Sequence, residues 1–288
     1  MAPAYVRDFH AFGRVARGLH LAASGVVRWL LLALVVSGCG FSIETGGPIA
    51  GDDEPGMQPD ATVTSRMCST SDQSLRLCID FDDAADLASD GSMFGHAVRS
   101  MNLMPMERKI GEQAVEIDDS SVLYVAETPD LDIPDNLTVS MWIKVDIAGL
   151  PFSTASSRWL YDNNTQYFAS LRFGGVIRCG SGTVIADSPP LGADGAWHHV
   201  ACTYKDDEVR VYVDGHVAGC EDTNDRPLPT GGHDGFAIGA NLAGGAGAPN
   251  FSEQFIGGID NVQVFSRLLP PAELCGAAGH ESCIDSCP

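Results

Sequence analysis

Residues 196–215 read AWHHVACTYKDDEVRVYVDG. Val200, Cys202 and Tyr204 alternate with His199, Ala201 and Thr203. After the polar turn Lys205-Asp206-Asp207-Glu208, Val209, Val211 and Val213 alternate with Arg210, Tyr212 and Asp214. A period of two marks half-buried strands, so the stretch predicts a β-hairpin. The turn sets Tyr204 opposite Val209, Cys202 opposite Val211 and Val200 opposite Val213, which makes one face of both strands apolar. That face requires a second layer. Asp214-Gly215 is a further tight-turn signal, and the sheet is expected to continue past the hairpin.

The same alternation recurs outward from the hairpin. Leu75, Leu77, Ile79 and Phe81 form a short strand, and Arg158 to Tyr161 and Gln166 to Phe173 read as a strand pair around the polar loop Asp162-Asn163-Asn164-Thr165. Phe236 to Gly239 and Phe255 to Phe265 are further strands, with a Gly/Ala-rich loop, 241–252, between them. The 288 residues suffice for a full sandwich core, and 32 Gly with 16 Pro supply its turns.

The pattern W-H-H-V-A-x-T-Y followed by V-Y-V-D-G resembles the signature of LamG-like jelly-roll domains, of the concanavalin A-like lectin/glucanase superfamily. Residues 257–269, GGIDNVQVFSRLL, and then Glu273 resemble that family's closing strand and the short segment after it. Residues 77–83 resemble its opening strand, Ala114 to Ile117 its second, Val122 to Val125 its third and Leu137 to Val145 its central strand. The resemblance implies an all-β, antiparallel jelly-roll β-sandwich over residues 67–275, a fold that carries lectins, enzymes and adhesion modules alike. It also implies a calcium ion near the joined first and last strands, with Asp82, Asp83 and Asp260 at the matching positions and Asp90 as a further carboxylate.

Four of the 17 basic and one of the 38 acidic residues precede Cys39, leaving 13 against 37 from Cys39 onward, a net charge of −24. Such a polyanion repels nucleic acid and anionic membrane surfaces. Residues 1–38 read as a signal peptide of lipoprotein type. Trp29 to Val36 is an apolar run too short to span a bilayer, and Val36-Ser37-Gly38-Cys39 resembles the bacterial lipobox, with Cys39 as the lipidated residue. A translation start near Val26 gives that signal an ordinary length. Gly40 after the cysteine points to the outer membrane. Residues 39–66, rich in Gly, Pro, Asp and Glu, read as a disordered acidic tether, about 30 Å in root-mean-square span.

With Cys39 set aside, Cys68, Cys78, Cys179, Cys202, Cys220, Cys275, Cys283 and Cys287 suit four disulfides in an oxidising compartment. Cys68 pairs with Cys78 and Cys179 with Cys202. The cysteine-rich tail, residues 276–288, is stapled back with one cysteine of the C-x7-C-x3-C set reaching Cys220. His280 within that set suits zinc less well than the cysteines suit disulfides.

Two stretches begin catalytic patterns. Retaining glucanases of this fold carry E-[apolar]-D-x-x-E, and Glu116-Ile117-Asp118-Asp119-Ser120-Ser121 begins that way but sets Ser at the second acid. His198 and His199 lack a G-x-S-x-G elbow. No catalytic residue is assigned, and the expected role is a non-catalytic envelope lipoprotein that binds glycan or an extracellular protein. A glycan-active enzyme and a ligand-free structural protein are the alternatives. Trp159, Tyr161 and Tyr167 are the candidates for stacking on sugar rings, with Asn163 and Asn164 donating to hydroxyls; their other reading is as strand residues packed in the core.

Overall fold

The computed structural model describes residues 68–288, apart from Ala84, Arg108, Glu112, Thr165, Asp206 and residues 225–226, 230–233 and 244–248. The signal peptide, Cys39 and the tether lie outside the described residues.

Seventeen strands and one helix follow in order among the described residues: β1 (Leu75–Ile79), β2 (Val98–Met101), β3 (Met104–Met106), β4 (Ala114–Ile117), β5 (Val122–Val125), β6 (Leu137–Lys144), β7 (Ser157–Asp162), β8 (Phe168–Arg172), β9 (Val176–Ser181), β10 (Val184–Pro190), β11 (Trp197–Lys205), β12 (Glu208–Val213), β13 (His216–Asp222), β14 (Phe236–Ile238), β15 (Asn241–Ala243), β16 (Asn250–Ser252), β17 (Gly257–Phe265) and α1 (Pro271–Ala277). One sheet runs β13-β12-β11-β6-β17-β4-β3, with β1 also on β17, and the facing sheet runs β10-β9-β8-β7-β14-β5-β2. Every named strand pair is antiparallel. This is the jelly-roll β-sandwich.

The hairpin β11–β12 keeps the pairs Val200–Val213, Cys202–Val211 and Tyr204–Val209, and the strands extend to Lys205 and Glu208, so its turn is shorter than four residues. Val200, Cys202 and Tyr204 join Val139, Met141, Ile143, Val262 and Val264 in the core between the sheets. Cys179 of β9 bonds Cys202 of β11 and so ties one sheet to the other.

Each outer face is partly covered. Leu274 of α1, with Leu269, packs on Ala201, Tyr212 and Phe265 of the first sheet. The tail returns along the sheet edge, where Val217 N donates to Ile284 O at 2.8 Å, and the disulfides Cys220–Cys287 and Cys275–Cys283 hold it there. Cys68–Cys78 closes the entry to β1. On the second sheet, Leu242 and Phe251 of the small β15–β16 ribbon sit over Tyr124 and Ala237. The ribbon also reaches Asp162 at the end of β7, where Leu242 N donates to its carboxylate at 2.8 Å, and the outer face of β8–β9 with Trp159 lies beyond this cover.

Candidate functional site

The outer face of β7–β8–β9 is set by one extra residue. Trp159 pairs with Ser170 and Tyr161 with Ala169, so Leu160 is a bulge. Period two would place Trp159 and Tyr161 on one face. The bulge instead turns Leu160 and Tyr161 into the core and leaves Trp159 outside, half-buried.

Outside, Trp159 meets Phe168 with ring centroids 5.1 Å apart and planes tilted by 50°. Its indole Nε1 donates to Glu253 Oε2 at 2.8 Å, and Ser157 Oγ donates to Glu253 Oε1 at 3.3 Å. The ring is therefore fixed by its edge. Phe168 lies flat over Gly180, where a Cβ would come within 2.3 Å of the ring. Arg172 follows Phe168 and Ser170 on the same face, and Arg178 with Asp187 closes the border through two 2.7 Å bonds. A fixed aromatic pair ringed by charged donors and acceptors is a surface for a planar or ring-shaped polar ligand. Sequence reading missed Phe168 and Glu253. The alternation of Phe168, Ser170 and Arg172 against Ala169 and Leu171 carried the first; nothing local carried the second, which arrives from a loop 94 residues away.

The other sequence candidates for ligand contact are corrected. Tyr161 and Tyr167 are core residues: Tyr161 Oη and Tyr204 Oη are 2.9 Å apart, and Tyr167 Oη donates to Leu131 O at 3.1 Å. Asn163 is buried because it builds the β7–β8 connection. Its Nδ2 donates to Leu131 O at 2.9 Å, and its backbone accepts from Gln166 and donates to Tyr167. Asn164 is half-buried, with Nδ2 donating to Asp234. These groups shape the loop rather than meet a ligand.

The acids expected at the strand junction divide in the same way. Asp83 is exposed and accepts from Ala85 N at 2.8 Å, a turn cap away from the others. Asp90 caps a separate turn, accepting from Cys78 N, Ser92 N and His96 N. Asp82 and Asp260 do come together. The segment 109–113 binds both, with Lys109 N and Ile110 N donating to Asp260 Oδ2 at 3.0 and 2.9 Å and Gln113 N donating to Asp82 Oδ1 at 2.9 Å. Gly111, at φ +71°, leaves the room: a Cβ there would fall 1.9 Å from Asp82 Oδ2.

Burial first, and then the charge of Asp82, push the Asp260 carboxyl up to about 7. Next to it, Asn261 stands at φ +49° in a β17 bulge with its Oδ1 buried and without a hydrogen-bond partner. The two carboxylates offer oxygen donors, the kind that fits a hard cation such as calcium, while Asn261 turns its Nδ2 toward Asp260 Oδ1 at 3.5 Å.

Neither catalytic pattern is completed. Asp118 accepts from Ser120 N and Oγ at 2.7 Å and from Ser121 Oγ at 3.1 Å, so the serines at the glucanase-like motif close the β4–β5 turn. His198 Nδ1 lies 2.8 Å from Asp214 Oδ2 and its Nε2 lies 3.3 Å from Asp194 Oδ1, carboxylates on both sides. His199 is buried against Trp142, and burial lowers its pKa to about 4. A separate polar cleft of about 250 Å3, lined by Arg76, Asp130, Asp132, Asp135, Asn136 and Ser266, opens beside the β5–β6 loop.

The Laminin_G_3 family model, described as concanavalin A-like lectin/glucanases superfamily, matches residues 118–275. No curated protein matches the sequence. Among solved structures, the receptor binding domain of botulinum neurotoxin C/D mosaic serotype is similar at TM-score 0.54 and 15% identity, over 72% of this chain and 51% of that one. Domain 4 of AbnA, a GH43 extracellular arabinanase from Geobacillus stearothermophilus, in complex with arabinotriose, is similar at TM-score 0.52 and 21% identity, over 71% and 98%. The botulinum neurotoxin serotype D ligand binding domain in complex with N-acetylneuraminic acid is similar at TM-score 0.53 and 15% identity, over 72% and 50%. The chain spans about half the length of the neurotoxin chains and nearly all of the arabinanase domain.

Proposed function

Because the chain belongs to the Laminin_G_3 family of the concanavalin A-like lectin/glucanases superfamily, we propose that it is a non-catalytic recognition module that binds glycan on the outer face of β7–β8–β9. The observation that carries this reading is the outward Trp159, braced by Glu253 and paired with Phe168. An indole held by its edge stacks on the apolar face of a sugar ring without losing side-chain freedom, and Arg172 and Glu253 are placed around it for hydroxyls. The arabinotriose and N-acetylneuraminic acid complexes of two structural neighbours support a glycan ligand. The role of exported lipoprotein, anchored through Cys39 in the outer membrane, completes the reading, and the four disulfides support an oxidising compartment.

A glycan array probed with the purified protein tests it. The expected result is saturable binding to a polysaccharide, reduced at least about tenfold by Trp159→Ala with little change in melting temperature. Binding that Trp159→Ala leaves intact, or release of reducing ends from any bound glycan, overturns it.

A second reading rests on Asp260. We propose that Asp82 and Asp260 hold calcium. A cation there would keep the buried Asp260 ionised, so calcium is expected to raise the melting temperature, more at pH 8 than at pH 5, and Asp260→Asn is expected to abolish the rise. Calorimetry with calcium and with chelator checks it; equal melting temperatures at pH 8 refute it.

A further inference from the structure

We propose that one corner of the sandwich, built by the β6–β7, β8–β9 and β10–β11 connections, seats on a neutral lipid bilayer, with Ile147, Phe152 and Phe173 entering the headgroup layer. These side chains are 80%, 86% and 50% exposed. Their loops adjoin: Arg172 Nη2 donates to Thr154 O at 3.3 Å, Leu191 N donates to Gly175 O at 2.8 Å, and Gly195 N donates to Val145 O at 3.1 Å.

The corner is without charge in a highly charged molecule. Residues 147–157, 173–177 and 188–193 contain no Asp, Glu, Lys or Arg, in a chain where 19% of residues are charged. The border carries both signs, with Lys144 and Arg172 beside Asp146 and Asp194. Everywhere else the surface of a domain with 12 basic and 32 acidic residues from residue 67 onward is repelled by anionic lipid and loses hydration on docking. At this corner neither cost applies.

The first loop also closes its own polar groups. Gly149 N donates to Asp146 Oδ1, Ser153 N donates to Ser156 Oγ, and Ser156 N and Oγ both donate to Ser153 O. Backbone groups paired in this way tolerate a layer poor in water. Three side chains projecting from two loops do not make the contiguous apolar core that a protein interface needs, whereas a bilayer needs only apolar tips and an absence of charge. The proposed anchor at Cys39, on which this last argument rests, holds the domain within reach of a membrane.

The test places a reporter at the tip. The full chain carrying Phe152→Trp is mixed with phosphatidylcholine vesicles whose acyl chains are brominated, and the emission of the parent chain is subtracted. Asp207→Trp, in the β11–β12 turn at the far end of β11, is the control. The expected result is a blue shift and quenching of the Phe152→Trp signal at least about threefold greater than of the control, and weaker when Ile147→Ser and Phe173→Ser are added. Both reporters share one anchor and one glycan face, so the difference reads the corner alone. Quenching no greater than the control overturns the proposal, as does shielding of the Phe152→Trp signal without vesicles that grows with protein concentration, which would make the corner an interface between copies.

Discussion

Leu160 is the residue on which the ligand face turns. Paired in ordinary register it would leave Trp159 and Tyr161 on one side of β7; as a bulge it lets the indole face solvent while the phenol joins Tyr204. The two positions should therefore separate in experiment. Tyr161→Phe breaks the buried hydroxyl pair while Tyr204 Oη keeps its bond to Phe168 O, and is expected to cost about 1 kcal/mol in urea unfolding with unchanged glycan binding. Trp159→Ala is expected to do the reverse. Gly180→Ala tests the support under Phe168. The added methyl overlaps the far end of the ring, so Phe168 must tilt away from Trp159, and glycan affinity is expected to fall severalfold with little loss of stability. Of the aromatic ligand residues read from sequence, Trp159 alone survives as a surface group, because side-chain type announces an aromatic but not a bulge.

The elements legible in the sequence are those with an apolar face and a turn to fix their register. β11, β12 and β6 carry three or more alternating apolar positions each, and with β17 they are the neighbours that build the core. β2 and β3 were not legible. They are edge strands of three or four residues, one with Pro105 in it and both with exposed methionines, so neither shows a buried stripe. β13 was expected only as a continuation, and its free edge is taken by the tail.

The disulfides at these two levels should behave differently. Cys179–Cys202 joins the sheets inside the core, and Cys179→Ala with Cys202→Ala is expected to lower the unfolding free energy by about 3 kcal/mol or more, since a cavity adds to the loop term. Cys220→Ser with Cys287→Ser frees the strand edge. Amide exchange at Val217 is expected to accelerate as Ile284 leaves it, with β6 and β11 still protected.

At the scale of the whole molecule, composition pointed to a polyanion and the fold decides how that charge responds to pH. Two buried groups on opposite sheets titrate with opposite sign. Asp162, under Leu242, is pushed up to about 6 by burial, above its unfolded value of 3.8. The stability it lends is fully present below 3.8 and is lost as pH rises through 6. His199, beside Trp142, is lowered to about 4 from 6.5. The stability it lends is present above 6.5 and is lost as pH falls through 4. Each shift corresponds to about 3 kcal/mol, so between pH 4 and 6 the two slopes oppose one another. Unfolding free energy measured in calcium and 0.15 M salt, which screens the surface charge, is therefore expected to change little across that window. Asp162→Asn should unmask a rise with pH, and His199→Gln a fall. A parent profile that slopes steeply, or variants with the same slope as the parent, would show that neither group is buried in the ionisation state that this packing demands.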